Sequence, residues 1–191
     1  MSYDLPSVLG LKKSFGFGDR LGLATPGHLA AVRKSDFAPI FAQQSVREME
    51  RTQRTPKEVL EAAQTALAKA AYTGQWGADA DHHKTPQDVE KSAAAGFTFF
   101  TIDPSAFVNN RADRMTPAEL TVEIQAMETD DVFQDRCWQA FYLGQSFEVA
   151  GSLQLRFTPE LLQRAAVKYG RAIAHSARMS AHLENACAGR V

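Results

Sequence analysis

The sequence has little of what would assign it quickly. Its 191 residues hold two cysteines, Cys137 and Cys187, far apart and in no CxxC arrangement. That excludes a disulfide framework and a thiolate zinc site, and it fits a reduced cytoplasm. There is no excess of one charge: 21 Lys and Arg against 22 Asp and Glu leave a formal −1. A basic footprint for nucleic acid or an anionic membrane surface is therefore missing. No apolar run approaches the roughly 20 residues that span a bilayer. The amino-terminal MSYDLPSVLGLKKSFG lacks the basic region and apolar core of a secretory signal. GFGDRLG at 16–22 lacks the GxGxxG spacing of a nucleotide loop. The length suits one ordinary domain and falls short of the about 250 residues of a complete eight-fold β/α barrel.

What is present is an alternation of short apolar runs and capped helices. Pro6, Gly10, Gly16 and Gly18 break residues 1–20 into loops and short pieces. Leu21–Ala24 reads as a brief buried strand, stopped by Thr25-Pro26-Gly27-His28 before a helix over about 29–34. Phe37–Ala42 is a second run, in which Pro39 points to an edge or a strand start. Three helix starts then share one design: Thr55-Pro56-Lys57-Glu58, Thr85-Pro86-Gln87-Asp88 and Thr116-Pro117-Ala118-Glu119. Each places a Thr N-cap before a proline and an acid that closes a capping box. These threonines lie 30 and 31 residues apart, the size of a βαβ unit, about 30 residues. The spacing predicts alternating strands and helices and a parallel sheet with covered faces.

Phe97–Ile102 (FTFFTI), between Gly96 and Pro104, is the clearest strand and is expected to be buried. A hairpin is expected from Phe147 to Phe157 with Gly151 in its turn. Thr158-Pro159-Glu160 opens a long helix to about Ala186, with Leu161, Ala165, Tyr169, Ile173 and Ala177 predicted to pack inward. Arg171, His175, Arg178 and His182 form a basic stripe on it that reads as a solvated face.

The chemistry concentrates in GADADHHKTP, 77–86. On a strand, Asp79 and Asp81 share one face while Ala78, Ala80 and His82 share the other. Two aspartates on one face are costly to bury unless they bind a metal, pair with Lys84 or Arg20, or meet solvent. Carboxylate with imidazole suits Mn, Co, Ni or Zn, and strand carboxyl ends in parallel β/α folds meet ligands. A solvated loop before a capped helix is the plainer alternative. Of the two adjacent histidines one can face a site; His82 is favoured, with His83 at the surface or behind the ligands. Asp103 reads equally as a turn residue or a catalytic acid. His28 has the same two readings, and Gln43 with Gln44 either binds a polyhydroxy ligand or ends a strand.

These residues carry a resemblance. SFGFGDRLGLATPGH (14–28), IFAQQSVREMERTQRTPKEVL (40–60), GADADHHKTPQDVEKSAAAGFTFFTIDP (77–104) and RAAVKYGRAIAH (164–175) resemble the tagaturonate epimerase family. Its members are metal-dependent enzymes that interconvert tagaturonate and fructuronate in hexuronate breakdown. Two departures stand out: His83 replaces an expected apolar residue, and family members continue through further strands beyond the point where this chain stops. The resemblance implies an α/β fold, specifically the N-terminal half of a TIM-barrel-like catalytic domain with parallel strands, the chain forming one partial domain over 1–191. It implies a divalent metal with Asp81 and His82 as ligands, and Asp79, Asp81 and Asp103 in catalysis. Asp19, Arg20, His28, Gln43, Gln44 and Lys84 would bind a small sugar-acid substrate. The place of action would be the cytoplasm, with no nucleic-acid or membrane partner. Two other functions remain open: a different metal-dependent barrel sugar isomerase, or a chain that binds a sugar acid without turning it over.

Overall fold

Parallel strands need long crossovers, and in this chain capped helices supply them. The computed structural model describes residues 5–134, 137–151 and 153–188. The first four residues of the stretch read as loop lie outside the described residues. The chain divides into two units, Met1–Asp103 with Met179–Val191, and Pro104–Arg178.

In the first unit β1 (Ser14–Gly18), α1 (Thr25–Val32), β2 (Ala38–Ser45), α2 (Val46–Thr52), α3 (Pro56–Lys69), β3 (Gly77–His83), α4 (Pro86–Ala95) and β4 (Phe99–Ile102) follow one another. The four strands are parallel and lie in the order β1-β2-β3-β4. One core joins Leu29 and Val32 of α1, Met49 of α2 and Val59, Leu60 and Leu67 of α3 to Phe41, Trp76, Ala78 and Ala80. The alanines of β3 are poor strand formers. They are fully buried, and their small side chains let the helices lie close to the sheet. Complete burial of Phe41 stabilises the fold by roughly 1.5–3 kcal/mol. Thr55 and Thr85 cap α3 and α4 as the sequence predicts, each receiving the backbone N–H three residues on while the acid there returns to the Thr backbone N–H.

The second unit contains α5 (Pro117–Glu128), α6 (Trp138–Tyr142), the antiparallel hairpin β5 (Ser146–Val149) and β6 (Leu153–Arg156), and most of α7 (Pro159–Cys187). Ala112, Met115, Leu120, Ile124 and Val167 form its core. Gly170 lets α5 approach α7, since a Cβ there would lie 2.1 Å from Met127 Sδ. The hairpin turns on Ala150 and Gly151, both at positive φ, which matches strand twist. Among the described residues neither cysteine forms a disulfide. Among the described residues no helix is long and apolar enough to cross a membrane.

Four expectations need correction. The first strand is Ser14–Gly18 and not Leu21–Ala24; Leu21 and Leu23 are 65% and 77% exposed in a loop. Gly16 and Gly18, read as breakers, lie within the strand, and the Gln43 side chain lies over them, its Oε1 within 3.7 Å of where their Cβ atoms would be. The FTFFTI strand is not a buried one: β4 ends the sheet, and Phe99 is 48% exposed. The third Thr-Pro start opens α5, which belongs to the second unit and precedes no strand of the parallel sheet. On α7 Leu161, Tyr169 and Ile173 are exposed, while Leu162, Val167, Ala174 and Met179 are buried, a stripe rotated from the predicted one. The basic residues beside it are paired: Arg171 with Glu123, Arg178 with Asp130 and Asp131, and His182 with Glu90. His175 stacks on Phe107 at 4.1 Å.

Candidate active site

Two one-residue bulges set the site. Ile40 and Gln43 of β2, three residues apart, pair with Gly16 and Gly18 of β1, two apart. Phe41 and Gln44 pair with Ala78 and Ala80 in the same unequal way. In β3 the insertion recurs, Ala80 and His83 pairing with Phe100 and Ile102. Ala42 and His82 sit at positive φ, 60° and 57°, the left-handed region that bulges of this kind require and that non-glycine residues rarely adopt. An inserted residue inverts which side chains face which way. After Ala42, Gln43 comes to the polar face and Gln44 to the helix side. After His82, His83 goes to the helix side.

His83 is accordingly fully buried, which overturns the surface position among its two expected places and leaves the one behind Asp81. Its Nε2 lies 2.7 Å from Ser92 Oγ on α4, and its Nδ1 lies 3.2 Å from the Asp81 carbonyl oxygen. Burial holds its pKa below the ordinary histidine value. His82 does not share a face with Ala78 and Ala80 as strict alternation predicts. Its half-exposed ring sits beside Asp81, with Nδ1 2.6 Å from Asp81 Oδ1.

A cleft of about 650 Å³ opens at the carboxyl ends of the strands, lined by Gly18, Arg20, Gln43, Asp81, His82, Lys84 and Asp103 together with residues of α2 and α4. Lys84 Nζ is 3.3 Å from Asp103 Oδ2. Arg20 Nε is 3.3 Å from Glu48 Oε1. Asp79 lies on the same face and does not line the cleft. It is buried and accepts from Thr101 Oγ1 at 3.3 Å, and burial followed by the nearby Asp81 carboxylate pushes its pKa up to about 7.

Three other predicted ligands serve the scaffold. Asp19 is buried and accepts the backbone N–H groups of Leu23 and Ala24, at 3.0 and 2.8 Å, ahead of α1. Gln44, nearly fully buried, donates to the Arg20 carbonyl at 2.6 Å and accepts from Arg54 Nη1 at 3.1 Å. His28 lies against Phe17, ring centres 5.0 Å apart. Sequence reasoning missed Ser45, Arg47, Glu48, Glu50 and Asp88, which also line the cleft. The Ser45-x-x-Glu48 box was the available signal for the α2 start that brings them there.

The cleft carries three cations, Arg20, Arg47 and Lys84, against five carboxylates, Glu48, Glu50, Asp81, Asp88 and Asp103. That negative surplus and the Asp81–His82 pair fit part of the shell of a divalent cation. Among the described residues no three His, Cys, Asp or Glu side chains converge on one point, so these residues alone do not complete a metal site.

Known proteins bear on this site. A family model for tagaturonate epimerase matches residues 1–189. The tagaturonate/fructuronate epimerase of Thermotoga maritima is 42% identical over 170 residues, which are 89% of this chain and 34% of that protein. The native crystal structure of fructuronate-tagaturonate epimerase from Cohnella laeviribosi superimposes with a TM-score of 0.79 at 34% identity, over 94% of this chain and 36% of that one. A glycerol complex of the same enzyme gives 0.77 at 35% identity, over 90% and 34%. The chain thus spans about a third of the length of the relatives it matches. With the family model running over almost its whole length and its relatives agreeing, the chain belongs to the tagaturonate epimerase family.

Proposed function

We propose that this chain carries part of the active site of a metal-dependent epimerase that interconverts tagaturonate and fructuronate. The observation that carries the reading is the polar cleft at the strand carboxyl ends, with Arg20, Gln43, Asp81, His82, Lys84 and Asp103 gathered in it, in a chain of this family. The parallel order β1-β2-β3-β4, with one face packed on helices and the other polar, supports a (β/α) TIM-barrel-like architecture of which these 191 residues supply one part. The third of its relatives' length that this chain spans agrees with that proportion.

The two sugar acids differ at a carbon β to the ketone, whose hydrogen is not acidic, so simple enolisation does not invert it. Retro-aldol cleavage does. A base removes the proton of the hydroxyl on that carbon, the bond between the α and β carbons breaks, and its electron pair moves toward the ketone. The resulting aldehyde turns its other face and the bond re-forms. Asp103 lines the cleft and is the better placed carboxylate for that proton transfer, with Asp79 behind it. Gln43 hydrogen-bonds hydroxyl groups, and Arg20 and Lys84 hold the carboxylate so that the aldehyde fragment that bears it does not leave. A divalent cation bound by Asp81 and His82, with further donors, would polarise the ketone and stabilise negative charge on its oxygen.

The test is to incubate D-fructuronate with the purified chain, with and without added Mn, Co, Ni or Zn, and to follow tagaturonate by NMR. We expect weak or no turnover from the 191 residues alone. In a full-length relative, the matched Asp81→Ala and His82→Ala changes are expected to abolish metal-dependent turnover. Unchanged turnover in both sinks the site assignment, and conversion of an aldose in place of the uronate would favour the other isomerase reading.

A further inference from the structure

Glu48 differs from the other acids that close helix caps in this chain. Glu58 and Glu119 each use Oε2 on both the backbone N–H and the hydroxyl of their Thr, at 2.7 and 2.8 Å. Glu48 uses Oε2 on the Ser45 backbone N–H at 3.0 Å and turns Oε1 out of the cap to Arg20 Nε at 3.3 Å. Its side chain is only 13% exposed, whereas that of Arg20 is 79% exposed. The cap therefore fixes the acid, and the acid pairs with an exposed arginine at its Nε atom.

That grip has a direction. A guanidinium offers two bidentate edges, one of Nε with Nη2 and one of the two Nη atoms. Glu48 Oε1 lies beside the Nε atom, and Arg20 itself lines the cleft. The other cations of the cleft are less suited to orient a planar anion. Lys84 is a point charge paired with Asp103 at 3.3 Å, and Arg47 is exposed on the first turn of α2.

Resting on the epimerase reading above, we propose that Glu48 is a positioning residue that presents the Nη edge of Arg20 to the substrate carboxylate. Through it the cleft distinguishes a ketouronate from the corresponding neutral ketose. Calorimetric titration of the chain with D-fructuronate and with D-fructose, which bears a hydroxymethyl group in place of the carboxylate, tests this. Arg20→Gln is expected to weaken D-fructuronate binding at least about tenfold, as loss of a charge-assisted contact does, and to leave D-fructose binding within about twofold. Glu48→Ala is expected to weaken D-fructuronate binding about three- to tenfold. Glu48→Gln keeps both the acceptor for Nε and the capping box and should restore it to within about twofold. The double variant Arg20→Gln/Glu48→Ala should be no weaker than Arg20→Gln alone, because Glu48 acts through Arg20.

Losses that multiply in the double variant, or a Glu48→Ala loss equal for both sugars, overturn the positioning role. D-fructuronate binding that ignores Arg20→Gln overturns the inference and leaves the epimerase reading intact. Binding with the expected pattern, but without turnover in the full-length relative, sinks the epimerase reading and leaves this one. No D-fructuronate binding to the wild-type chain overturns this inference and leaves the epimerase reading, which is tested in the full-length relative.

Discussion

At the scale of single residues, the left-handed backbone of His82 is the most informative feature of the site. A β-branched side chain tolerates that conformation poorly, and a left-handed non-glycine residue costs roughly 1–2 kcal/mol. His82→Gly is therefore expected to be as stable as the parent or about 1 kcal/mol more so, while His82→Val falls about 1–2 kcal/mol below the glycine variant. Urea denaturation of the three proteins measures both, and equal stability of the Gly and Val variants would refute a strained bulge. Behind it, Ser92→Ala would leave His83 Nε2 buried without its partner at 2.7 Å, a loss of about 1–3 kcal/mol. Ser92→Cys or Ser92→Thr, retaining a polar atom, should lose less in the same assay. Neither histidine's position was readable from alternation, because alternation assumes an uninterrupted ladder and residue types alone do not announce a bulge at an Asp-His-His run.

At the scale of elements, the caps were the most legible part of the chain. Thr55, Thr85 and Thr116 each cap a helix where the sequence places one, since the motif is local and depends on no distant contact. Thr55→Ala is expected to cost about 1 kcal/mol, read as a lower urea midpoint. The same caps set a pH dependence. The backbone N–H groups of Thr55 and Thr116, and then their hydroxyls, hold Glu58 and Glu119 below the ordinary carboxylate value. A folded-state pKa below the unfolded one gives stability that is present above the unfolded value of about 4.5 and is lost as pH falls through the folded one. The advantage of the wild type over a Glu58→Gln/Glu119→Gln variant should therefore be complete at pH 6 and shrink toward pH 3. An advantage independent of pH would sink this account. Long-range packing was less legible. Leu161, Tyr169 and Ile173 have helical spacing but lie on the exposed side of α7, because a long helix carries more than one apolar stripe and only its neighbours decide which is covered. Gly170 shows what α5 requires there. Gly170→Ala adds helix propensity yet meets Met127, and we expect a net loss of about 1 kcal/mol, contrary to the gain of about 1 kcal/mol that propensity alone gives.

At the scale of the whole molecule, α/β class and parallel strands were legible from the alternation of runs and caps. The extent of the sheet was not, because the third Thr-Pro start is locally the same as the first two while its helix belongs elsewhere. Among the described residues the sheet ends on β1 and β4, and both outer strands carry exposed aromatics, Phe15 and Phe99. Open edges of that kind pair with other chains. Phe99→Lys is expected to lower concentration-dependent light scattering of the isolated chain without changing its far-UV circular dichroism; unchanged scattering would argue against association through β4. The cleft was half legible. Arg20, Gln43, Asp81, His82, Lys84 and Asp103, expected from the strand-end cluster and from the family resemblance, line the cleft, whereas Asp19, His28 and Gln44 turn to backbone N–H groups, the Phe17 ring and Arg54, contacts that no local pattern announces. The paired insertions at Ala42 and His82 are likewise unannounced. Shortening β3 by one residue at His82 would restore two-for-two pairing with β4, leaving His83 opposite Ile102 on the helix side and Lys84 at the cleft while removing the imidazole beside Asp81. Chain length at these two positions therefore adds or removes one side chain without disturbing those that follow, and a sheet of this kind can gain or lose a group at the rim of its cleft by a single codon.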